Sequence, residues 1–135
     1  MKSLRSMSFV ATAALAAACA SPPYAALSID ADAELGSNVF VVDCELLDVL
    51  RIGRVGVERV PGSNQLKVVV PIRNIDDEEH KILVQTSFLD GMKAPIGDDT
   101  NQQVKLLGPG QTLPVVVISK LDAAQDWTMT ITWNR

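Results

Sequence analysis

The sequence is poor in the residues from which most enzymes build a catalytic centre. It contains one histidine and two cysteines, and aromatic residues make up only 4% of its 135 positions. A single imidazole excludes the common zinc sites that need several histidines, and it leaves a serine or cysteine nucleophile with one candidate base. We therefore expect no catalytic residues, no metal site and no cofactor.

Positive charge is also scarce. The chain has 12 Lys and Arg against 16 Asp and Glu, and removal of residues 1–18 would take away Lys2 and Arg5 and leave 10 against 16, a net charge of −6. Nucleic-acid binding depends on Lys and Arg that neutralise phosphates, so we expect no nucleic-acid partner. Gly108-Pro109-Gly110 is not followed by the Lys-Ser/Thr of a phosphate-binding loop.

No apolar run is long enough for a membrane-spanning helix, but a short one follows the N-terminus. Lys2 and Arg5 precede an apolar stretch from Ser8 to Ala18, and Leu15-Ala16-Ala17-Ala18-Cys19 comes at its end. This arrangement is typical of a signal peptide, and its last five residues resemble the lipobox of bacterial lipoproteins. We predict a signal peptide over residues 1–18 and a lipid on Cys19.

The same residues leave an alternative open. Ala18-Cys19-Ala20 also fits ordinary signal cleavage, which would release a secreted or periplasmic soluble protein. In the lipoprotein class, an Asp after the acylated Cys commonly retains the protein in the inner membrane, and here Ala20 stands there. The lipidated form is thus expected on the periplasmic face of the outer membrane.

Residues 19–37 are rich in Ala, Ser, Asp and Pro, a composition that favours a flexible tether. Such a segment would have a root-mean-square span of roughly 25 Å. Asp30, Asp32 and Glu34 have the spacing at which a calcium loop begins, but the Gly and later Glu of such a loop are out of register, so we interpret them as a solvated acidic linker.

Residues 38–135 read as one domain of short strands separated by turns. No strand–helix–strand alternation and no repeat interrupts this pattern. The pattern predicts a single all-β domain, an immunoglobulin-like antiparallel β-sandwich of about seven to eight strands with one short helix near its start. The predicted strands cover 39–42, 54–58, 65–73, 80–88, 92–96, 104–107, 112–119 and 127–133.

Three local features carry specific expectations. Asp43 is placed to cap the short helix, and Asp90-Gly91 predicts a two-residue hairpin turn in which both residues have positive φ. In the last strand, Trp127, Met129, Ile131 and Trp133 alternate with three threonines. We expect this strand to close the core, with Trp127 buried and Trp133 less firmly held.

A series of motifs along the domain resembles the YcfL-like family of small Gram-negative envelope lipoproteins. The motifs are Leu46 to Ile52, Leu66 to Asn74, Phe88 to Met92, Leu106 to Thr112 and Ala123 to Trp127. The resemblance spans about Val39 to Arg135 and implies an immunoglobulin-like sandwich, a lipobox and no enzymatic activity. The chain departs from the family in its shorter Asp90-Gly91 hairpin and in the Gln102-Gln103 pair, near which the family has a Trp.

The remaining candidates for chemistry are few. His80 follows Asp76-Asp77-Glu78-Glu79, which we interpret as a solvated turn, with weak metal binding as the alternative. The acidic pairs Asp76/Asp77 and Asp98/Asp99 have the residue types of a glycosidase but lie in polar loops. Cys44 is expected to be a buried free thiol once Cys19 is lipidated or removed, with an intermolecular disulfide as the alternative.

These observations favour a non-catalytic protein-interaction module held to the membrane by the lipid on Cys19, with an envelope protein as its partner. The expected contact surface is an open sheet edge or the strand Thr112–Ser119, which is apolar on both faces. A central position of that strand, buried on both sides, is the alternative. Other candidate functions are a structural or accessory lipoprotein of a secretion system or of peptidoglycan synthesis, and a small ligand-binding protein or hydrolase.

Overall fold

The computed structural model describes residues 22–29 and 38–134 of the chain. These residues form ten strands and one short helix, which confirms the all-β prediction. In chain order the elements are β1 (Tyr24–Ala25), β2 (Val39–Val41), α1 (Leu46–Val49), β3 (Leu50–Ile52), β4 (Gly56–Arg59), β5 (Leu66–Asn74), β6 (His80–Leu89), β7 (Pro95–Asp99), β8 (Gln103–Leu107), β9 (Thr112–Ile118) and β10 (Asp126–Trp133).

The strands form two sheets. The six-stranded sheet has the order β1-β2-β10-β6, after which β7 and β8 pair with opposite ends of the free edge of β6. In the four-stranded sheet, β3 and β4 share one edge of β5, and β9 pairs along the other. All pairs are antiparallel except β2 with β10, which is parallel. The predicted sandwich is thus antiparallel in every pair of described strands but this one.

The core lies between the two sheets and follows the alternation in the sequence. In β5, every second residue from Leu66 to Asn74 is buried, and in β6 the same holds from His80 to Phe88. Successive side chains of a strand point to opposite faces, so one face of each strand packs inward while the other faces solvent. The burial of this apolar area is the main stabilising contribution to the fold.

β10 is a central strand, paired with β2 on one side and β6 on the other. Trp127, Met129 and Ile131 are no more than 5% exposed, which confirms the predicted core face. Trp133 is only half-buried, as expected from its place near the C-terminus.

Asn74, at the end of β5, is fully buried and joins three segments. Its side-chain amide donates to the carbonyls of Glu78, Leu107 and Gly108 at 2.7 to 3.2 Å, and its Oδ1 accepts the N–H of Asp76 at 2.9 Å. This network ties the β5–β6 turn to the β8–β9 turn.

The hairpin after β6 differs from the prediction. Asp90 and Gly91 do not have positive φ; Lys93 does, at 62°. The Asp90 carboxylate accepts the N–H groups of Met92 and Ala94, and the Asp90 N–H donates to the carbonyl of Ala94. The turn thus extends from Asp90 to Ala94, because the aspartate side chain organises a larger loop than a two-residue turn.

Asp43 does not cap the helix through its side chain. Glu45 is the N-cap residue, and no side chain caps it. The Asp43 carboxylate instead accepts the main-chain N–H of Trp133 at 2.7 Å, which holds the end of β10. The capping prediction was wrong because a partner 90 positions away competes for the carboxylate.

Part of the predicted tether belongs to the sandwich. β1 pairs with β2, Ala26 is buried, and Ser28 forms a parallel bridge with Ile52 of β3. The main chain of Leu27 and Ile29 exchanges hydrogen bonds with Ile52. Residues 24–29 are therefore not a spacer; positions 19–21 and 30–37 lie outside the described residues.

Candidate interaction surface

β9 is an edge strand that presents apolar side chains to solvent. It pairs only with β5 among the described strands. Its inward residues Val115 and Val117 are buried, whereas Val116 and Ile118 on the outer face are 48% and 45% exposed. The alternative of a central strand buried on both faces was wrong, because only one face of β9 meets the core.

The neighbouring strand extends this apolar surface. Val116 lies opposite Val69 of β5, and Pro114 lies opposite Pro71. Five residues on the outer face of the four-stranded sheet thus form a continuous apolar surface, which we name the outer strip: Val69, Pro71, Pro114, Val116 and Ile118. Contiguous exposed apolar surface of this kind is typical of interaction sites.

The free edge of β9 also offers main-chain hydrogen bonds. The N–H of Asn74 donates to the carbonyl of Gln111, and the N–H of Ser119 donates to that of Leu66, which fixes the odd-numbered residues of β9 as those bonded to β5. In an antiparallel pair the main-chain groups alternate in direction. The N–H groups of Val116 and Ile118 therefore point away from β5, towards the open edge.

Pro114 limits how much of this edge is usable. A proline has no N–H to donate, and prolines on edge strands oppose uncontrolled pairing with other chains. The complete set of donors and acceptors is therefore confined to the segment after Pro114, so a partner strand would find its best contacts at Val116 and Ile118.

A cavity of about 290 Å³ lies beyond one end of the outer strip. We name it the arginine cavity, and its lining residues are Ser28, Ile29, Arg51, Arg73, Ile75 and Gly110. Arg51 of β3 lies directly opposite Arg73 of β5, on the outer face of the sheet. Among the residues that the structure describes, none of those lining the cavity is acidic, so two positive charges share one concave site.

A smaller apolar pair is exposed on the six-stranded sheet. Val104 and Leu106 of β8 are 56% and 49% exposed. They lie opposite Leu83 and Lys81 of β6, and Lys105 separates them along the strand. This pair lacks the length and the adjoining cavity of the outer strip, so it serves as a reference surface.

His80 is part of the structure rather than of a solvated turn. It is 8% exposed, its Nε2 lies 2.7 Å from the Asp76 carboxylate, and its ring packs edge-on against Trp133 with 5.3 Å between centroids. The hydrogen bond with His80, helped by the main-chain N–H of Asp77, lowers the pKa of Asp76. The prediction of a solvated His80 was wrong, because residue 80 already begins the inward face of β6.

Asp98 and Asp99, an acidic pair noted in the sequence, differ in burial and in partners. Asp98 is buried, and its Oδ2 accepts the N–H groups of Lys120 and Leu121 at 2.8 and 2.9 Å, while the adjacent Asp99 is exposed. Asp98 thus fastens β7 to the segment after β9. Within residues 22–29 and 38–134, no three His, Cys, Asp or Glu side chains come together as a metal site.

Cys44 is half-buried and disulfide-bonded. The prediction of a free thiol was wrong for this chain. It assumed that Cys19 is removed or acylated, whereas the sequence folded in this structure contains both cysteines. The predicted lipidation site, Cys19, and the acidic residues Asp30, Asp32 and Glu34 lie outside the described residues. In the part of the chain that the structure covers, no helix has the length and apolar character needed to cross a membrane.

Sequence reasoning identified β9 but missed the two arginines. Arg51 and Arg73 are 22 positions apart, and only the β3–β5 register brings them together. No local spacing indicates such a pair. The acidic residues nearest to them in the sequence, Asp48 and Asp76, are each three positions away. This separation is too weak a signal to single out the two arginines.

Comparison with known proteins identifies the fold. No family model and no curated protein matches the sequence. A crystal structure of Cj0090 from Campylobacter jejuni matches with a TM-score of 0.60 and 14% identity, over 72% of this chain and 98% of that one. A DUF1425 family member from Shewanella sp. pv-4 matches with a TM-score of 0.57 and 14% identity, over 64% and 79%.

The protein is therefore a β-sandwich similar to these two bacterial proteins. An identity of 14% shows a shared fold and no more. The names of the two neighbours state no activity, ligand or partner, so function has to be argued from the surface of this chain.

Proposed function

We propose that this protein is a non-catalytic interaction module, and that its partner is an envelope protein that packs on the outer strip and pairs with the open edge of β9. The observation that carries the proposal is the exposure of Val116 and Ile118 on an edge strand whose outward N–H groups meet no other strand within residues 22–29 and 38–134. An extended segment that adds to a sheet edge gains affinity from main-chain hydrogen bonds and specificity from its side chains.

The outer strip adds an apolar contact beside that edge. A partner strand next to β9 would cover Val116 and Ile118, and its neighbours could reach Val69 and Pro71 on β5. Pro114 restricts the pairing to one short segment, which favours a specific partner over open-ended association between copies.

We also propose a membrane address. The lipobox-like segment before Cys19 supports acylation of that residue and a position on the periplasmic face of the outer membrane. β1 begins at Tyr24, so only positions 20–23 separate Cys19 from the sandwich. Four extended residues span at most about 14 Å. The domain would then lie close to the membrane, where confinement raises the effective concentration of a membrane-bound partner.

Membership of the YcfL-like family is part of the same proposal. The motifs from Leu46 to Trp127 support it, as does the structural similarity to a DUF1425 protein. Such membership agrees with a lipid-anchored accessory role without catalysis.

Site-specific crosslinking in cells tests the interaction surface. A photoreactive residue replaces Val116 in one variant and Val104 in the matched control, since both are exposed valines on edge strands. We expect one discrete crosslinked protein from position 116 and none from position 104. Equal capture from the two positions, or none from position 116 in cells that express the protein normally, would overturn the proposed surface.

Metabolic labelling with a fatty acid tests the anchor. Cys19→Ser should abolish incorporation of label and release the protein from membranes. Cys44→Ser, the control, should still incorporate the label and stay in the membrane fraction. An unlabelled wild-type product that is found outside the membrane fraction would instead support the secreted or soluble form.

A further inference from the structure

The arginine cavity brings together two like charges from neighbouring strands. Arg51 and Arg73 are direct cross-strand partners, and like charges in that arrangement are unfavourable. The two ion pairs found in the described part of the chain are Lys67 with Glu58 and His80 with Asp76, so neither involves these arginines. The two arginines are thus placed side by side in a chain whose net charge is −4.

Two main-chain carbonyls hold the guanidinium of Arg51 in place. Its Nη1 donates to the carbonyls of Leu47 and Leu50 at 2.5 and 2.9 Å, which fixes the guanidinium at the C-terminal end of α1. The N–H groups on Nε and Nη2 of the planar guanidinium can donate to another acceptor. A guanidinium held in this way loses little conformational freedom on binding.

The remaining walls fit a small group with an aliphatic stem. Ile29 and Ile75 supply apolar contacts. Gly110 has φ +71° at the turn before β9 and brings that turn against the cavity without a side chain. A volume of about 290 Å³ is at the lower end of the range for small-ligand sites and has room for an acidic side chain.

The arginine pair lies one outward-facing row beyond the outer strip in the sheet register. In the sheet register Arg51, Arg73 and Thr112 form one row, and the next outward-facing row contains Pro71 and Pro114. A chain that pairs antiparallel with the segment of β9 after Pro114 would leave the edge at Pro114, with its C-terminal side directed towards the arginine row.

We propose that Arg51 and Arg73 form a carboxylate-binding site for an acidic side chain or C-terminus of the protein partner. This inference rests on the proposed function and names the chemistry that the partner brings. Paired guanidiniums bind a carboxylate through charge-assisted hydrogen bonds, and the acidic balance of this chain opposes attraction to an anionic membrane. The apolar strip and the open edge next to the cavity also suit a protein better than a lipid headgroup.

The test is a titration of the purified chain with sodium acetate at constant ionic strength, followed by the NMR signals of the arginine side chains. We expect saturable shifts at Arg51 and Arg73 and about tenfold weaker binding in Arg73→Gln. Arg54→Gln is the matched control, because Arg54 is exposed and does not line the cavity. Its affinity for acetate should be unchanged.

Three results would overturn the proposal. They are the absence of saturable shifts, an equal loss of affinity in Arg54→Gln, and Arg73-dependent binding to vesicles of phosphatidylglycerol, which would assign the site to lipid. The acetate titration needs no partner, so it can succeed even if crosslinking from position 116 fails. Conversely, crosslinking that persists in Arg73→Gln would leave the interaction surface intact and remove only the carboxylate site.

Discussion

β9 and β10 are both apolar strands, but they have opposite surroundings. β10 alternates between large apolar residues and threonines, and it lies in the centre of the six-stranded sheet with its apolar face in the core. β9 is apolar on both faces, yet it lies at an edge, and half of its valine and isoleucine side chains face solvent. Apolar residues on the second face of an edge strand are therefore not explained by the core, and they indicate a second contact.

The largest effect should come from the core strand. Trp127→Ala removes a large side chain that is 5% exposed, and we expect it to lower the free energy of unfolding by about 3–5 kcal/mol. Trp133→Ala should cost clearly less, because Trp133 is only half-buried. Urea denaturation of both variants makes the comparison. A Trp127 that iodide quenches fully, and whose removal leaves stability unchanged, would mean that β10 is not the core strand.

A smaller loss should follow from the buried amide that joins the turns. Asn74→Ala removes the donors to Glu78, Leu107 and Gly108 and leaves their carbonyls with fewer partners. We expect a loss of about 2–3 kcal/mol by chemical denaturation. Asn101→Ala, in an exposed loop, is the control and should be neutral. Equal stability of the two variants would show that the Asn74 network does not stabilise the fold.

Thr86 should show the opposite sign. Its hydroxyl is buried in β6 and has no hydrogen-bond partner within the described structure. Thr86→Val keeps the shape and removes the unpaired hydroxyl, so we expect a gain of about 1 kcal/mol in thermal or chemical unfolding. Thr130→Val, on the outer face of β10, should change stability less. A destabilised Thr86→Val would show that the hydroxyl does bind a partner, such as water.

The smallest effect on folding should come from β9. Val116→Lys places a charge on an exposed position and should change the free energy of unfolding by no more than about 0.5 kcal/mol. In cells it should nevertheless abolish capture of the partner by a photoreactive residue at Ile118, whereas Val104→Lys should not. A variant that loses several kcal/mol would move Val116 from the interaction surface to the fold.

The fold was predictable in strands that bury one face in the core and expose the other to solvent. The alternation in β5, β6 and β10 has a local period, so the sequence alone indicates which residues are buried. The Asp90 loop, the role of Asp43 and the burial of His80 were not predictable, because side-chain contacts to distant main-chain groups decide them. For the same reason β9 was a candidate from its composition, while its place at an edge and the Arg51–Arg73 pair required the register of the sheet.

Amide hydrogen exchange along β9 tests most directly whether this strand offers a free edge. In the purified chain we predict an alternation, with slow exchange at Val115 and Val117, which bond to β5, and exchange at least about tenfold faster at Val116 and Ile118. The amides of Met129 and Ile131 in the central strand β10 should all be slow. Equally slow exchange at Val116 and Ile118 would contradict the account, because it would mean that the edge of β9 is already paired.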